Sequence, residues 1–480
     1  MTRADFMALL PLLITAYSAV VLTIVLPFWR SRRAAFWLTA ISLAAALASI
    51  VWAIPYAPRQ VTSLILIDRY SLFFDWLILV VALLVTLLSR DYFEDRPGAA
   101  HAYYLLLLLA VLGMIATASS SHFVSFFLAY ETLSVSLVGL IGFLRGHKLA
   151  QEAAVKYLVL SITSSAFLVF GMALVYYDLG TMEFVRLAPM LSAGGLAAST
   201  YFGLALMLVG FGFKLALVPF HTWSPDVYQG APAPVTALIA TGSKAAVFAL
   251  LLRMVSMGDL GGQRTTFLLL YVLAVATMFG GNLLALLQDN IKRLLAYSSV
   301  AQIGYLLIPL LADGLSGPSS IAFYFVSYAA TTIAAFGVIS VVSRSGGAGD
   351  VERIDDYRGL ALSHPALAAV LSTALLSLMG LPLTSGFFGK FYIFAAAAQS
   401  GLWSLLVIGV VTSGMSAFYY LKVVFAMYSR PEAGREPLPA ARPASAICLT
   451  VSATIVVLLG VYPTPLFRLV QSAATALGLR

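Results

Sequence analysis

Charge is what this sequence has least of. Only 10% of its 480 residues are Asp, Glu, Lys or Arg, against about a quarter in a soluble globular protein. With 61% hydrophobic residues, a soluble fold is excluded. Cysteine is nearly absent as well: the one copy, Cys448, stands in an apolar run, so the chain offers no disulfide framework, no zinc motif and no thiolate set for an iron–sulfur cluster. There is no Walker loop, no dinucleotide fingerprint, no metal-binding His/Cys cluster and no nucleophile elbow. The longest loops, 343–358 and 429–443, leave no room for a soluble catalytic domain. Such a chain moves something across a membrane and does not make or break covalent bonds. The net charge of +8 does not point to nucleic acid, because the basic residues fall in short loops between apolar runs, where they set orientation.

What is abundant is long apolar runs. Taking about 17 to 25 residues as a spanning length, segments begin near residues 6, 34, 71, 102, 122, 155, 202, 231, 265, 291, 318, 364, 402 and 444, which makes about fourteen. The first, Phe6 to Phe28, has no clear small-residue cleavage site and reads as a retained helix. Odd-numbered loops carry Arg30, Arg32, Arg33, Arg90, Arg96, Arg145, Lys148, Lys292, Arg293, Arg344, Arg353, Arg358, Arg430, Arg435 and Arg442, whereas even-numbered loops carry only Arg59, Arg69, Arg186, Arg253 and Arg264. The positive-inside rule then predicts odd loops in the cytoplasm and both termini on the far side.

Five lysines break the pattern: Lys156, Lys214, Lys244, Lys390 and Lys422 lie within apolar runs or at their edges. A lysine at the centre of a spanning helix costs about 2.5 to 3.5 kcal/mol on insertion scales, so such residues usually face a partner or water. Among the acids only Glu131 lies clearly mid-span, with Asp75 a weaker candidate near the start of the third segment. Between Lys214 and Lys244 stand Pro219, His221, Pro225, Asp226, Pro232 and Pro234. Pro219 removes a backbone donor inside an apolar run, and a helix broken at membrane depth is tolerated only where protein buries it or it lines a wet cavity. The combination predicts an ion pathway.

Glu131 and Lys214 are the expected working pair. Alone in hydrocarbon each would neutralise, whereas adjacency favours both charged forms, so a movable Glu131 would set the protonation of Lys214; the rival is a static buried ion pair, which rarely repays its desolvation. His221, whose side-chain type titrates nearest neutrality, is the expected shuttle, and a hydrogen-bonded helix packer otherwise. Lys244 follows the small residues Ala240 to Ser243 and stands about half a bilayer into its helix, too deep to snorkel. Lys156 is explained almost as well by an interfacial pair with Glu152 as by a channel role. Lys390 is the expected exit-side residue and Lys422 could snorkel. His101, His147 and His364 lie at helix ends, and His122 is a weaker candidate for a mouth residue.

The chain also repeats itself. Leu128-Ala129-Tyr130-Glu131 recurs as Leu295-Ala296-Tyr297-Ser298, the run around Lys214 has an interrupted counterpart with Gly380, Pro382 and Gly386 beside Lys390, and Lys244 pairs with Lys422, at offsets of 167, 176 and 178. An odd number of helices per unit inverts the second copy, a layout that places a site at the midplane. The expected fold is an all-α polytopic membrane protein of about fourteen helices with two inverted five-helix repeats, each containing one broken helix. Its divisions are residues 1–100 (helices 1–3), 101–260 (first repeat), 261–430 (second repeat) and 431–480 (the last helix).

These residues carry a resemblance. Lys214 to His221, with Pro225-Asp226-Val-Tyr-Gln-Gly-Ala-Pro-Ala-Pro234-Val-Thr after it, is similar to the proton-conducting membrane subunits shared by respiratory complex I and the multi-subunit cation/proton antiporters. Asn290 to Gly304 and Leu381 to Phe391 match two further blocks, so the likeness covers about 102 to 430. The Val-Tyr-Gln-Gly-Ala-Pro wording resembles the N-type branch of bacterial NADH–quinone oxidoreductase more than the M, L or antiporter types. The resemblance implies a multi-pass bacterial inner-membrane subunit beside other complex I membrane subunits, including antiporter-like neighbours, and among lipids. It places NADH, FMN, iron–sulfur clusters and quinone in partner subunits and no cofactor or metal in this chain. It also implies roles: Glu131 as modulating carboxylate, Lys214 as its partner, Lys156 as auxiliary, Lys244 as central relay, His221 as bridge and Lys390 as terminal lysine. An antiporter subunit and a structural spacer remain the rival readings. Sodium is a poorer fit than the proton, since lysines are not the oxygen donors it needs.

Overall fold

At membrane depth no water satisfies backbone groups, so a chain of this composition folds into helices. The computed structural model describes all residues except 97–99, 145, 194, 258–263, 313, 344–348, 431–439 and 478–480. Arg145, Arg344 and Arg435, counted above, and the terminal Arg480 thus lie outside the described residues. In chain order the main helices are α1 Leu10–Val25, α2 Arg32–Ala53, α3 Arg69–Glu94, α4 Ala100–Ala118, α5 Phe123–Ile141, α6 Lys148–Leu179, α7 Ala198–Leu215 and α8 Trp223–Gly230. There follow α9 Ala233–Met257, α10 Arg264–Leu286, α11 Ile291–Leu310, α12 Ser316–Val342, α13 Pro365–Met379, α14 Ser385–Gln399, α15 Trp403–Tyr428, α16 Pro443–Val461 and the surface helix α17 Thr464–Ala474. Among the described residues twelve helices are long and apolar enough to span, and α1 and α13 are shorter apolar helices. With α7/α8 and α13/α14 taken as broken pairs, these match the fourteen expected segments one for one. A two-stranded hairpin, Arg59–Val61 against Ile65–Ile67, covers one end.

Lipid tails supply no hydrophobic drive between helices, so close packing depends on small residues. A Cβ on Gly171 of α6 would stand 2.5 Å from the Gly203 carbonyl oxygen of α7, and one on Gly281 of α10 would stand 2.5 Å from the Ala301 nitrogen of α11. α9 and α12 are buried along their length and α11 nearly so; these three form the centre. Caps fix the helix starts: Asn290 Oδ1 accepts from the Lys292 and Arg293 amides at 2.9 and 3.1 Å, and Asp68 Oδ1 from the Ser71 amide at 2.7 Å.

Both expected breaks are present. α7 ends at Ala216 and α13 at Gly380, each with a left-handed backbone (φ 59° and 93°). Ala216 there is strained, as a residue with a Cβ. Side chains answer the freed backbone groups. Trp223 Nε1 donates to the Phe213 carbonyl at 2.7 Å, the Val218 amide donates to Thr277 Oγ1 at 3.1 Å, and the Gly386 amide donates to Ser377 Oγ at 3.1 Å. The second halves, α8 and α14, both pack against α11, which sets the two breaks around one central helix.

One expectation needs correction. The breaks at Ala216 and Gly380 are 164 residues apart, not 176, so Lys214 stands in the last turn before its break and Lys390 in the second turn after its own. The lysines are therefore not register equivalents, because the repeat is preserved in the backbone turn and not in the charge. The first break leaves Pro219 and Thr222 exposed where the turn meets α10.

Candidate functional site

Three lysines are buried as expected: Lys214, Lys244 and Lys390 are 2%, 0% and 4% exposed. None has a carboxylate within ion-pair distance among the described residues; each is held by neutral oxygen. Lys214 Nζ donates to Ser134 Oγ at 2.6 Å and to Tyr157 OH at 2.7 Å, and sits 4.7 Å from the Tyr130 ring centre. Lys244 Nζ donates to Ser299 Oγ at 2.7 Å. Lys390 Nζ donates to Ser413 Oγ at 2.8 Å and to the Met379 carbonyl at 3.0 Å, an acceptor freed by the second break.

Glu131 and Lys214 do not touch. Glu131 accepts from Ser165 Oγ, and no ion pair joins it to Lys214. Ser134, one turn along α5 from Glu131, takes the place the carboxylate was expected to fill. The static ion pair is thereby ruled out in this structure.

Lys244 follows a π-helical turn, Ile239–Ser243; such bulges re-aim a side chain at functional sites. Here the ammonium meets Ser299, which also bonds Tyr328 OH at 2.6 Å and Tyr228 OH at 3.2 Å. Tyr228 belongs to the Pro-Asp-Val-Tyr motif on α8, and Trp223 on the same half-helix lies between Tyr228 and Tyr157 (ring centres 6.5 and 5.2 Å). On the other side, Tyr328 stacks on Tyr324 at 6.3 Å. Tyr324 donates to Gln302 Oε1, and Gln302 Nε2 donates to Tyr420 OH at 3.2 Å. Tyr420 packs on Tyr419, which donates to Asn282 Oδ1 at 3.0 Å. Asn282 in turn donates to Tyr305 OH at 3.1 Å, and the Tyr305 ring faces Lys390 Nζ at 4.9 Å. A run of hydroxyls, amides and aromatic contacts thus links the three lysines.

The other candidates separate from this axis. Lys156 Nζ bonds Glu152 at 2.6 Å, the pair expected from spacing, and also Asp226 at 2.7 Å, whose second oxygen takes Arg293 at 2.6 Å. It therefore ties α8 to α6 and α11 at a half-exposed edge. His221 is half-buried, its Nδ1 has no hydrogen-bond partner, and its ring lies 6.3 Å from Tyr297; no hydrogen bond joins it to Lys214 or Lys244. His122 caps α5, its Nδ1 accepting from the Val124 amide at 3.1 Å, which explains it without a mouth role. Lys422 is 44% exposed and bonds Asp289 at 2.6 Å, as a snorkelling lysine would. In that loop the Lys422 hydrogen bond and charge hold the Asp289 carboxyl below its usual range. Among the described residues no group of three or more His, Cys, Asp or Glu could hold a metal.

A family model described as NADH:quinone oxidoreductase/Mrp antiporter, TM, matches residues 120–416, from just before α5 into α15. A relative from Ectopseudomonas mendocina, NADH-quinone oxidoreductase subunit N, is 43% identical over 98% of this chain and 97% of its own. This chain belongs to that family. A second subunit N, from Methylococcus capsulatus, is 43% identical over 97% of this chain and 94% of its own. A chain of respiratory complex I from Thermus thermophilus, in a structure with bound aureothin, is 34% identical with a TM-score of 0.81, covering 95% of this chain and 98% of that one. A chain of the Mrp complex from Dietzia sp. is 21% identical; with a TM-score of 0.87 over 99% and 98% of the two chains, it shares the fold. The family and fold expected from the Lys214 to Thr236 stretch are borne out, and the chain is a multi-pass all-α membrane protein.

The residues that the sequence did not single out are the partners: Ser134, Tyr157, Ser299, Tyr328, Gln302, Tyr420, Asn282, Tyr305 and Ser413. Serines and tyrosines are ordinary in spanning helices. Nothing local marks those that meet a lysine 80 residues away, as Ser134 does.

Proposed function

We propose that this chain is the proton-carrying membrane subunit of an NADH:quinone oxidoreductase, with Glu131, Lys214, Lys244, His221, Lys390 and Lys156 as its working titratable residues. One observation carries the reading: three lysines are buried with hydroxyl and carbonyl partners and, among the described residues, no carboxylate within ion-pair distance. A structural lysine at this depth would be paired, whereas one bonded to neutral oxygen can lose its proton without stranding a buried carboxylate.

In this reading Glu131 acts on Lys214 through space. Loading or release of charge near Glu131 changes how firmly Lys214 holds its proton, which passes through water from Tyr157 to Tyr228 and the Ser299–Lys244 contact; Trp223, packed between the two tyrosines with its indole N–H on the Phe213 carbonyl, carries no proton. Wetting at the exposed break beside His221 supplies the link that no direct bond provides. From Lys244 the tyrosine and amide run leads to Lys390. Gln302 and Asn282 cannot relay by simple hydroxyl exchange, so water must join that stretch. Lys156, at the half-exposed edge, serves as an auxiliary to Lys214 and is tied to α8 through Asp226. NADH, FMN, iron–sulfur and quinone chemistry belong to partner subunits, and neighbouring antiporter-like subunits flank this one in the bacterial inner membrane. The basic odd-numbered loops support a cytoplasmic placement for those loops and a periplasmic one for both termini. Residues 101–260 and 261–430 are read as the inverted repeats, between 1–100 and 431–480; the matching left-handed turns support that division.

The test is proton pumping by the assembled complex in vesicles. Lys244→Ala should lower pumping, and unchanged pumping and turnover would remove it as the central relay. Lys214→Arg is sharper, because arginine cannot give up its proton: full coupled turnover would leave Lys214 only an electrostatic part.

A further inference from the structure

Far from the relay, a cleft opens at the membrane surface. α17 is a short surface helix that turns Leu466, Val470 and Ala473 inward and leaves Arg468 and Leu469 exposed. It packs on α3. Between it, the end of α2 and the start of α3 lies a cavity of about 320 Å³, walled by Ile50 and Ile54 of α2, Phe73 and Trp76 of α3 and Leu469 of α17. A buried water needs only about 10–15 Å³ together with two to four polar partners, and these walls are almost wholly apolar. The space suits an apolar chain. Ile54 and Leu469 are 44% and 54% exposed, so the cleft is open to whatever surrounds the helices, which in a membrane is lipid.

Its mouth is basic. Arg69, the first residue of α3, lines the cleft; it is exposed and makes no hydrogen bond or ion pair among the described residues. Three other arginines of the even-numbered loops are answered: Arg59 by Asp5, Arg186 by Glu183 at 2.8 Å and Arg253 by Asp68 at 2.7 Å. Asp68, beside Arg69 in the chain, is therefore taken. Arg468, also exposed and unpaired among the described residues, stands one helical turn before Ser472, another residue of the cleft wall. No acid is among the residues that line the cleft. Trp76 is seven residues past Arg69, about 10 Å further along the helix axis. Cations at the rim with a tryptophan and aliphatic side chains about 10 Å deeper follow the profile of a phospholipid, whose phosphate sits at the interface and whose chains run inward from it.

We propose that this cleft binds one anionic phospholipid, with its phosphate on Arg69, further positive charge supplied by Arg468, and an acyl chain along Ile50, Phe73 and Trp76. The bound lipid joins α17 to α2 and α3. The site stands apart from the buried lysines and does not depend on their carrying protons.

The experiment uses the assembled complex, depleted of lipid in detergent and given phosphatidylglycerol with a photoreactive diazirine on its acyl chain; labelled peptides are then mapped by mass spectrometry. Label should fall within residues 50–76 and 469–473. Arg69→Gln should lower it about tenfold, the worth of one hydrogen bond to a charged group, and Ile54→Trp, which fills the cleft and keeps Arg69, should lower it too. Excess unlabelled phosphatidylglycerol should displace the probe from wild type, and phosphatidylcholine should not; this competition decides the matter should either variant fail to assemble. Equal label in wild type and both variants, or equal displacement by the two lipids, overturns the proposal. So does a cleft that takes no label because a neighbouring subunit fills it.

Discussion

The Asp68–Arg253 pair offers the most quantitative test of how this fold is held. Its side chains are 3% and 2% exposed, with two hydrogen bonds of 2.7 and 3.0 Å. It fastens the start of α3 to α9 nine residues past Lys244. Asp68→Asn retains the cap on α3, since Asn and Asp are equal N-caps, and so removes only the charge. Arg253 is then left buried with an uncompensated charge, a loss of about 3–5 kcal/mol. Arg253→Met strands Asp68 in the same way, at about the same cost. Replacing both removes the desolvation cost along with the attraction, so the double variant should be nearly neutral and the coupling energy about 3 kcal/mol or more. The assay is unfolding of the purified complex in detergent, followed by heat and by denaturing detergent, for wild type, both singles and the double. Wild-type stability in either single, or a double as unstable as the sum of the singles, would refute the argument that burial makes this pair a mutual necessity.

Two further outcomes follow from packing and charge. Gly171→Val should force α6 off α7, because even a Cβ would meet the Gly203 carbonyl at 2.5 Å; a loss of about 1–3 kcal/mol is expected from overpacking, seen as a lowered unfolding temperature, and no change would mean the helices can part freely. The Asp289–Lys422 tether depends on pH in one direction. Its carboxyl is held below the ordinary range, so the contribution is present above the usual Asp value of about 4 and is lost as pH falls through the lowered one. Amide exchange in residues 287–290 should therefore differ between wild type and Asp289→Asn at neutral pH and converge in acid.

The legible part of the site was its charge. Lys214, Lys244 and Lys390 could be named from sequence because a lysine in an apolar run is costly wherever the chain folds, and composition alone excluded a soluble protein. Spanning segments were legible for the same reason: membrane depth imposes a length and a helical backbone on any apolar run. The breaks could be read from Pro219 and Gly380, residues that interrupt a helix by their own covalent structure.

What a lysine touches was not legible. Sequence put Glu131 against Lys214, but the contact belongs to Ser134 and Tyr157. Spacing gave Lys156 the partner Glu152 but not Asp226, which comes from another helix. The offset of 176 equated Lys214 with Lys390, although the backbone turns repeat at 164. The sequence by itself determined which groups would be out of place in a bilayer, because the cost of a buried charge is a property of the residue and its depth. Tertiary structure alone decided which neutral oxygens answer those charges, because hydrogen bonds a few ångströms long are set by helix register and rotation.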